Sequence, residues 1–133
     1  MERAAPRSLD SLAPLVGFVR EFLDREQLSQ ELAFDIDLVI EELFTNLVRH
    51  ARGEGDIRVR LSHRPGEVRI ELIATEPSPF DPTAAPRTNV NLPIEQRRAG
   101  GLGIHLVREL CEEFRYEWRD GVGTTLVVMG VNE

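Results

Sequence analysis

Apolar residues recur at helical spacing from Ser8 to Leu28, where Leu12, Leu15, Val16, Val19, Phe22 and Leu23 predict an amphipathic helix. Ser29 is a suitable N-cap for a second helix from Gln30 to about Ala51. Within it Leu32, Ile36, Val39, Ile40, Leu43 and Leu47 fall on one broad arc. The period then changes to two. Ile57, Val59 and Leu61, followed by Val68, Ile70 and Leu72, face one side, while Arg58, Arg60, Arg69 and Glu71 face the other. Arg64-Pro65-Gly66-Glu67 joins the two runs, so the segment reads as a hairpin with one buried face. Leu102, Leu106 and Leu110 predict a third helix from Leu102 to Cys111. Phe114, Tyr116 and Trp118 alternate as a strand, Asp120-Gly121 turns, and Thr124 to Met129 returns. Helices, hairpin, long connection, helix and hairpin in that order predict an α+β fold. It is a two-layer α/β sandwich with helices on one face of a mostly antiparallel sheet.

The connection from 75 to 100 holds five of the chain's eight prolines, which disfavours regular structure there. A loop of that length inside a compact domain is usually functional. It reads as a lid, and neither half of the chain is a comfortable domain alone. The 133 residues are therefore expected to form one domain.

Composition narrows the chemistry. All sixteen basic residues are arginine, which excludes a Walker A lysine and a Schiff-base lysine. A net charge of −7 argues against direct nucleic-acid binding, which calls for a basic face. Cys111 is the single cysteine, and His50, His63 and His105 are scattered, so no zinc spacing exists. No apolar run is long enough for a membrane span and no signal core opens the chain, so a cytoplasmic location is expected.

Carboxylates, amides, glycines and arginines remain. Glu42 and Asn46 lie four residues apart at the edge of the second helix's apolar arc. A carboxylate able to take a proton, one turn from an amide oxygen able to ligate Mg²⁺, suits phosphoryl transfer. The same pair is also a common feature of solvated helix faces. Arg97-Arg98-Ala99-Gly100-Gly101-Leu102-Gly103-Ile104 ends the connection and opens the third helix. Glycines there let backbone N–H groups approach a phosphate, with Arg97 and Arg98 adding positive charge. The alternative is a tight loop-to-helix junction.

Taken together, these segments resemble the histidine-kinase-like ATPases. Glu41-Glu42-Leu43-Phe44-Thr45-Asn46 resembles their N-box, and Pro79-Phe80-Asp81-Pro82 the end of the first glycine box. Gly100-Gly101-Leu102-Gly103-Ile104-His105-Leu106-Val107 resembles the second glycine box, and Gly123-Thr124-Thr125 the motif that closes the site. Size, spacing and the Phe-Asp-Pro sequence are most similar to the anti-sigma-factor serine/threonine kinases of bacterial partner-switching systems. The resemblance implies a Bergerat fold binding ATP with Mg²⁺ under a lid. It makes Glu42 the base for the substrate hydroxyl and Asn46 the Mg²⁺ ligand. Gly100, Gly101 and Gly103 would contact the phosphates, and Thr124 would lie near the adenine. The substrate implied is a STAS-domain anti-anti-sigma protein, the second partner a sigma factor or equivalent regulator, and the assembly a homodimer.

The first glycine box departs from the pattern Asp-x-Gly-x-(Gly or Pro)-Phe. Thr75 stands where the adenine-reading Asp is expected, and Pro77 where Gly is expected. A hydroxyl loses the charge-assisted bond, and proline removes an N–H and fixes φ. Glu76 substitutes if the loop shifts by one residue. Two readings follow: an ATP-dependent serine/threonine kinase that doubles as an anti-sigma factor, or a catalytically weak module of the same fold that sequesters partners. A sensor histidine kinase fragment fits less well, since the first helix has no histidine.

Overall fold

The computed structural model describes residues 1–84 and 101–132. Among these residues, five strands form one sheet in the order β1-β2-β3-β5-β4, with every neighbouring pair antiparallel. They are β1 (Glu2–Ala5), β2 (Ile57–Arg64), β3 (Glu67–Thr75), β4 (Glu113–Arg119) and β5 (Val122–Gly130). Three helices, α1 (Leu12–Arg25), α2 (Ala33–His50) and α3 (Gly101–Leu110), pack on one face. This is the expected two-layer α+β sandwich.

The predicted helices are present, each of the first two opening with a short 3-10 turn. Leu9–Ser11 precedes α1 and Gln30–Leu32 precedes α2. Ser8 and Ser29 cap these turns by accepting from the backbone N–H of Asp10 and Glu31. That satisfies donors that a helix start leaves orphaned. Arg20 on α1 then bonds Asp37 on α2 at 2.8 Å, fixing the pair's mutual rotation. The β4–β5 turn has Asp120 at φ +52° and Gly121 at φ +79°, as a two-residue hairpin matching the sheet's twist requires.

β1 was not predicted. It is four residues long, and of Glu2-Arg3-Ala4-Ala5 only Ala5 is buried, so no alternating apolar pattern announces it. It adds to the sheet edge through its register with Ile57–Arg60, and the terminal ammonium donates to the Leu61 carbonyl at 2.8 Å.

The core lies between the sheet and the helices. Val59, Leu61, Val68, Ile70, Leu72 and Val127 from the strands meet Val19, Phe22, Leu23, Val39, Leu43 and Phe44 from α1 and α2. Each fully buried side chain of this size contributes about 1.5–3 kcal/mol of transfer free energy. This packing makes α2 a fixed platform, and α2 carries the N-box residues.

Strand parity positions the rest. On β3 the helix-facing residues are Val68, Ile70, Leu72 and Ala74, opposite Met129, Val127, Thr125 and Gly123 of β5. Thr75, expected in the lid, is the last residue of β3. The greater part of the expected lid, with Arg97, Arg98 and Gly100, lies outside the described residues.

Candidate functional site

Glu42 and Asn46 project from α2 into a cleft of about 430 Å³ between α2, the start of α1 and α3. Its walls include Leu9, Leu12, Glu41, Thr45, Arg49, Gly103 and Leu106. The Asn46 amide donates through Nδ2 to Glu42 Oε1 at 3.2 Å. That bond leaves the Asn46 carbonyl oxygen free among the described residues. Burial pushes the Glu42 carboxyl above its ordinary value. The Asn46 bond opposes the shift, Glu41 adds to it, and His50 opposes it. A half-buried carboxylate made more basic in this way is better suited to accept a proton than an exposed one.

Gly103 sits against this carboxylate. A Cβ at position 103 would overlap the Glu42 carboxyl group, so the carboxylate keeps this position only with glycine there. Sequence reasoning placed Gly103 at the phosphates; its described neighbour is the carboxylate. Gly101 is the first residue of α3.

Arg49 was not singled out from sequence. It lies three residues beyond Asn46, on the same side of α2, and lines the same cleft. The signal was the spacing Glu42, Asn46, Arg49, which continues one helical stripe.

For the residues expected near the nucleobase, strand parity decides which groups face the helices. Thr75 and Thr124 were both expected near an adenine ring. The structure places them on the outer face of the sheet: Thr124 is the register partner of Ile73, and Thr75 of Val122. Thr75 is exposed, and its carbonyl accepts from Arg7 Nη2 at 3.2 Å. The helix-facing equivalents are Glu76, one residue on, and Thr125, which is 4% exposed.

Glu76 is 1% exposed. Its carboxylate fills the notch above Gly123, where a Cβ would overlap it. Tyr116, inward-facing on β4 opposite Thr125, brings its hydroxyl within 3.0 and 3.1 Å of the two Glu76 oxygens. The same hydroxyl accepts from the Phe80 N–H at 3.0 Å. Trp118 Nε1 donates to the Glu76 carbonyl at 2.9 Å, and the Glu76 N–H donates to the Gly121 carbonyl at 2.8 Å. Burial raises the Glu76 carboxyl, opposed by the Tyr116 bond and Arg7, with Asp81 adding to the rise. Burial also raises the Tyr116 phenol to about 12; the Phe80 bond opposes this, and Glu76 and Asp81 add to it.

The Glu42 end and the Glu76 end are thus built on different elements, α2 with α3 and the β3–β4–β5 strand ends. No group of three or more His, Cys, Asp or Glu among the described residues is placed to hold a metal ion. No helix among them is long and apolar enough to cross a membrane.

Known proteins share this fold. The histidine kinase-like ATPase domain matches residues 5–129. A serine/threonine-protein kinase, BtrW of Bordetella bronchiseptica, is 30% identical over 100 residues, covering 73% of this chain and 70% of its own. A serine-protein kinase, RsbW of Listeria innocua, is 25% identical over 125 residues, covering 90% of this chain and 73% of its own. Among solved structures, the RsbU and RsbW domains of a Mycobacterium tuberculosis protein align with a TM-score of 0.67 at 17% identity. That alignment covers 98% of this chain and 32% of the larger one. Fold, N-box geometry and sequence similarity lead to one assignment: the chain belongs to the histidine kinase-like ATPase family.

Proposed function

We propose that the chain is an ATP-dependent serine/threonine protein kinase that also acts as an anti-sigma factor. Its substrate is a STAS-domain anti-anti-sigma protein, its second partner a sigma factor or equivalent regulator, and its assembly a homodimer. The observation that carries this reading is the Glu42–Asn46 pair, hydrogen-bonded within an open cleft beside Gly103. The two kinases to which the chain is similar support the same class of reaction.

Glu42 would take the proton from the substrate hydroxyl as the oxygen attacks the terminal phosphoryl group. Its bond to Asn46 holds it in place for that step, and burial makes it the more basic. The Asn46 carbonyl oxygen is a hard ligand suited to Mg²⁺, which typically takes one or two protein oxygens and completes its shell with phosphates and water. Bound Mg²⁺ supplies charge neutralisation at the phosphates. Arg49 stands along the same stripe as a cation for the outer phosphates. At the other end Glu76, the inward carboxylate, would accept from the adenine amine in place of Thr75.

One observation favours the sequestering module instead: Glu76 is sealed at 1% exposure under the Tyr116 hydroxyl. Calorimetric titration with Mg·ATP and Mg·ADP, followed by phosphorylation of a STAS partner, tests the two readings. Phosphoserine or phosphothreonine on the partner supports the kinase. Tight partner binding with no nucleotide binding supports the module.

A further inference from the structure

The hydrogen bonds around Glu76 are asymmetric. Its backbone is clamped on both sides, by Gly121 at 2.8 Å and Trp118 at 2.9 Å, which fixes the point from which the carboxylate projects. Tyr116 contacts both carboxylate oxygens, yet a phenol has one proton to give. Phe80 donates to the same phenol oxygen at 3.0 Å, which directs the phenolic proton towards Glu76. One carboxylate oxygen is therefore without a donor at any instant, among the described residues, in a nearly dry location. An under-satisfied buried carboxylate is costly, which leaves Glu76 open to a competing N–H donor.

We propose that Tyr116 latches the base end of the nucleotide site. In the ligand-free protein its hydroxyl joins the Glu76 carboxylate to the Phe80 amide, and an exocyclic amine of the nucleobase takes its place at Glu76. This rests on the nucleotide-binding reading above. The exchange swaps one donor for another at Glu76; turning the Tyr116 ring aside to admit the base also withdraws the acceptor of Phe80, and so frees the stretch from Pro77 to the 3-10 turn Pro82–Ala84. Selectivity follows from the chemistry. Adenine offers an amine to the carboxylate, whereas hypoxanthine offers a carbonyl at the same position and would meet it oxygen to oxygen. Tyr116 is thus a specificity-determining residue: only a base bringing its own donor can replace it.

The test compares wild type and Tyr116→Phe, each titrated with Mg·ATP and Mg·ITP, with amide exchange at Phe80 followed in parallel. In wild type, ATP should speed exchange at Phe80 and ITP should not. Tyr116→Phe removes the bond that ATP must break. Its Phe80 amide should exchange fast without ligand, and ATP should bind about tenfold more tightly, the scale of one hydrogen bond to a charged group. The variant deletes one oxygen from a half-buried ring, and a melting curve close to wild type establishes that it is folded. Should it fail to fold, the wild-type exchange data with ATP and ITP decide alone. ATP binding that leaves Phe80 exchange unchanged, or that weakens in Tyr116→Phe, overturns the latch while leaving nucleotide binding intact. Absence of binding by either protein to either nucleotide overturns the nucleotide reading and the latch together.

Discussion

Gly103 of α3 and the carboxylate of Glu42 on α2 are packed so closely that a single methyl group at position 103 would occupy the carboxylate's place. The glycine at 103 therefore shapes the position of this carboxylate directly. Gly103→Ala should displace the Glu42 side chain. Misplacing a reacting group by about 1 Å costs on the order of a hundredfold in rate. Alanine is also the better helix former by up to about 1 kcal/mol, which offsets part of the steric cost to stability. The expected result is a large loss of phosphotransfer with a small change in melting temperature. Equal loss of both would assign Gly103 to folding alone.

Glu42→Ala should leave partner binding intact and reduce phosphotransfer by roughly 10²–10⁴, the usual consequence of removing a general base. A rate assay on a STAS partner at saturating Mg·ATP checks this. Normal turnover by the variant would remove Glu42 from the reaction.

Most of the scaffold was legible in the sequence because burial on one side of each element leaves a period. Ile57, Val59 and Leu61 against Val68, Ile70 and Leu72 gave the first hairpin, and the arc from Ile36 to Leu47 gave α2 with Glu42 and Asn46 at its edge. β1 was not legible, since a short edge strand with one buried residue carries no period. Which of Thr75 and its alternative Glu76 faces the helices was left open for a related reason. Motif alignment fixes residue spacing, but strand parity fixes which side chain faces the helices. Here the even-numbered series Val68, Ile70, Leu72, Ala74 continues to Glu76, so Thr75 turns outward. Extending that alternation two residues past Ala74 would have selected Glu76 from sequence. The contacts of Tyr116 were harder to see, because they join β4 to residues 36 and 40 positions earlier.

Asn46→Ala removes both the Nδ2 donor to Glu42 and the carbonyl oxygen available to Mg²⁺. Binding of Mg·ATP should weaken markedly, while ATP measured in chelator should bind wild type and variant alike. A variant whose Mg·ATP titration overlays wild type would exclude Asn46 as the metal ligand.

Gly123→Ala tests the other carboxylate. The added methyl would overlap Glu76, and overpacking of this kind typically costs about 1–3 kcal/mol. The melting temperature should fall, and any preference for ATP over ITP should fall with it. Retained preference in a folded variant would separate Glu76 from base recognition.

The raised basicity of Glu42 makes a signed prediction about pH. Burial is the largest cause, and it penalises the ionised form in the folded protein only. A carboxyl group with its folded value raised binds protons more tightly folded than unfolded. Its contribution to stability is complete below the unfolded value and is lost as pH rises through the folded one. Glu42→Gln, which keeps the shape and removes the charge, should therefore melt higher than wild type at neutral pH. The difference should shrink as pH falls and vanish below the ordinary carboxylate range. Activity should run the opposite way in wild type. A base must be ionised to accept a proton, so phosphotransfer should decline on acidification, with a midpoint above that of an ordinary glutamate. Thermal melts of both proteins across pH, set beside the wild-type rate profile, examine the two limbs together. A glutamine variant less stable than wild type at neutral pH would mean that the carboxylate is held by attraction rather than exposed to desolvation. The case for Glu42 as a base tuned by burial would then fail.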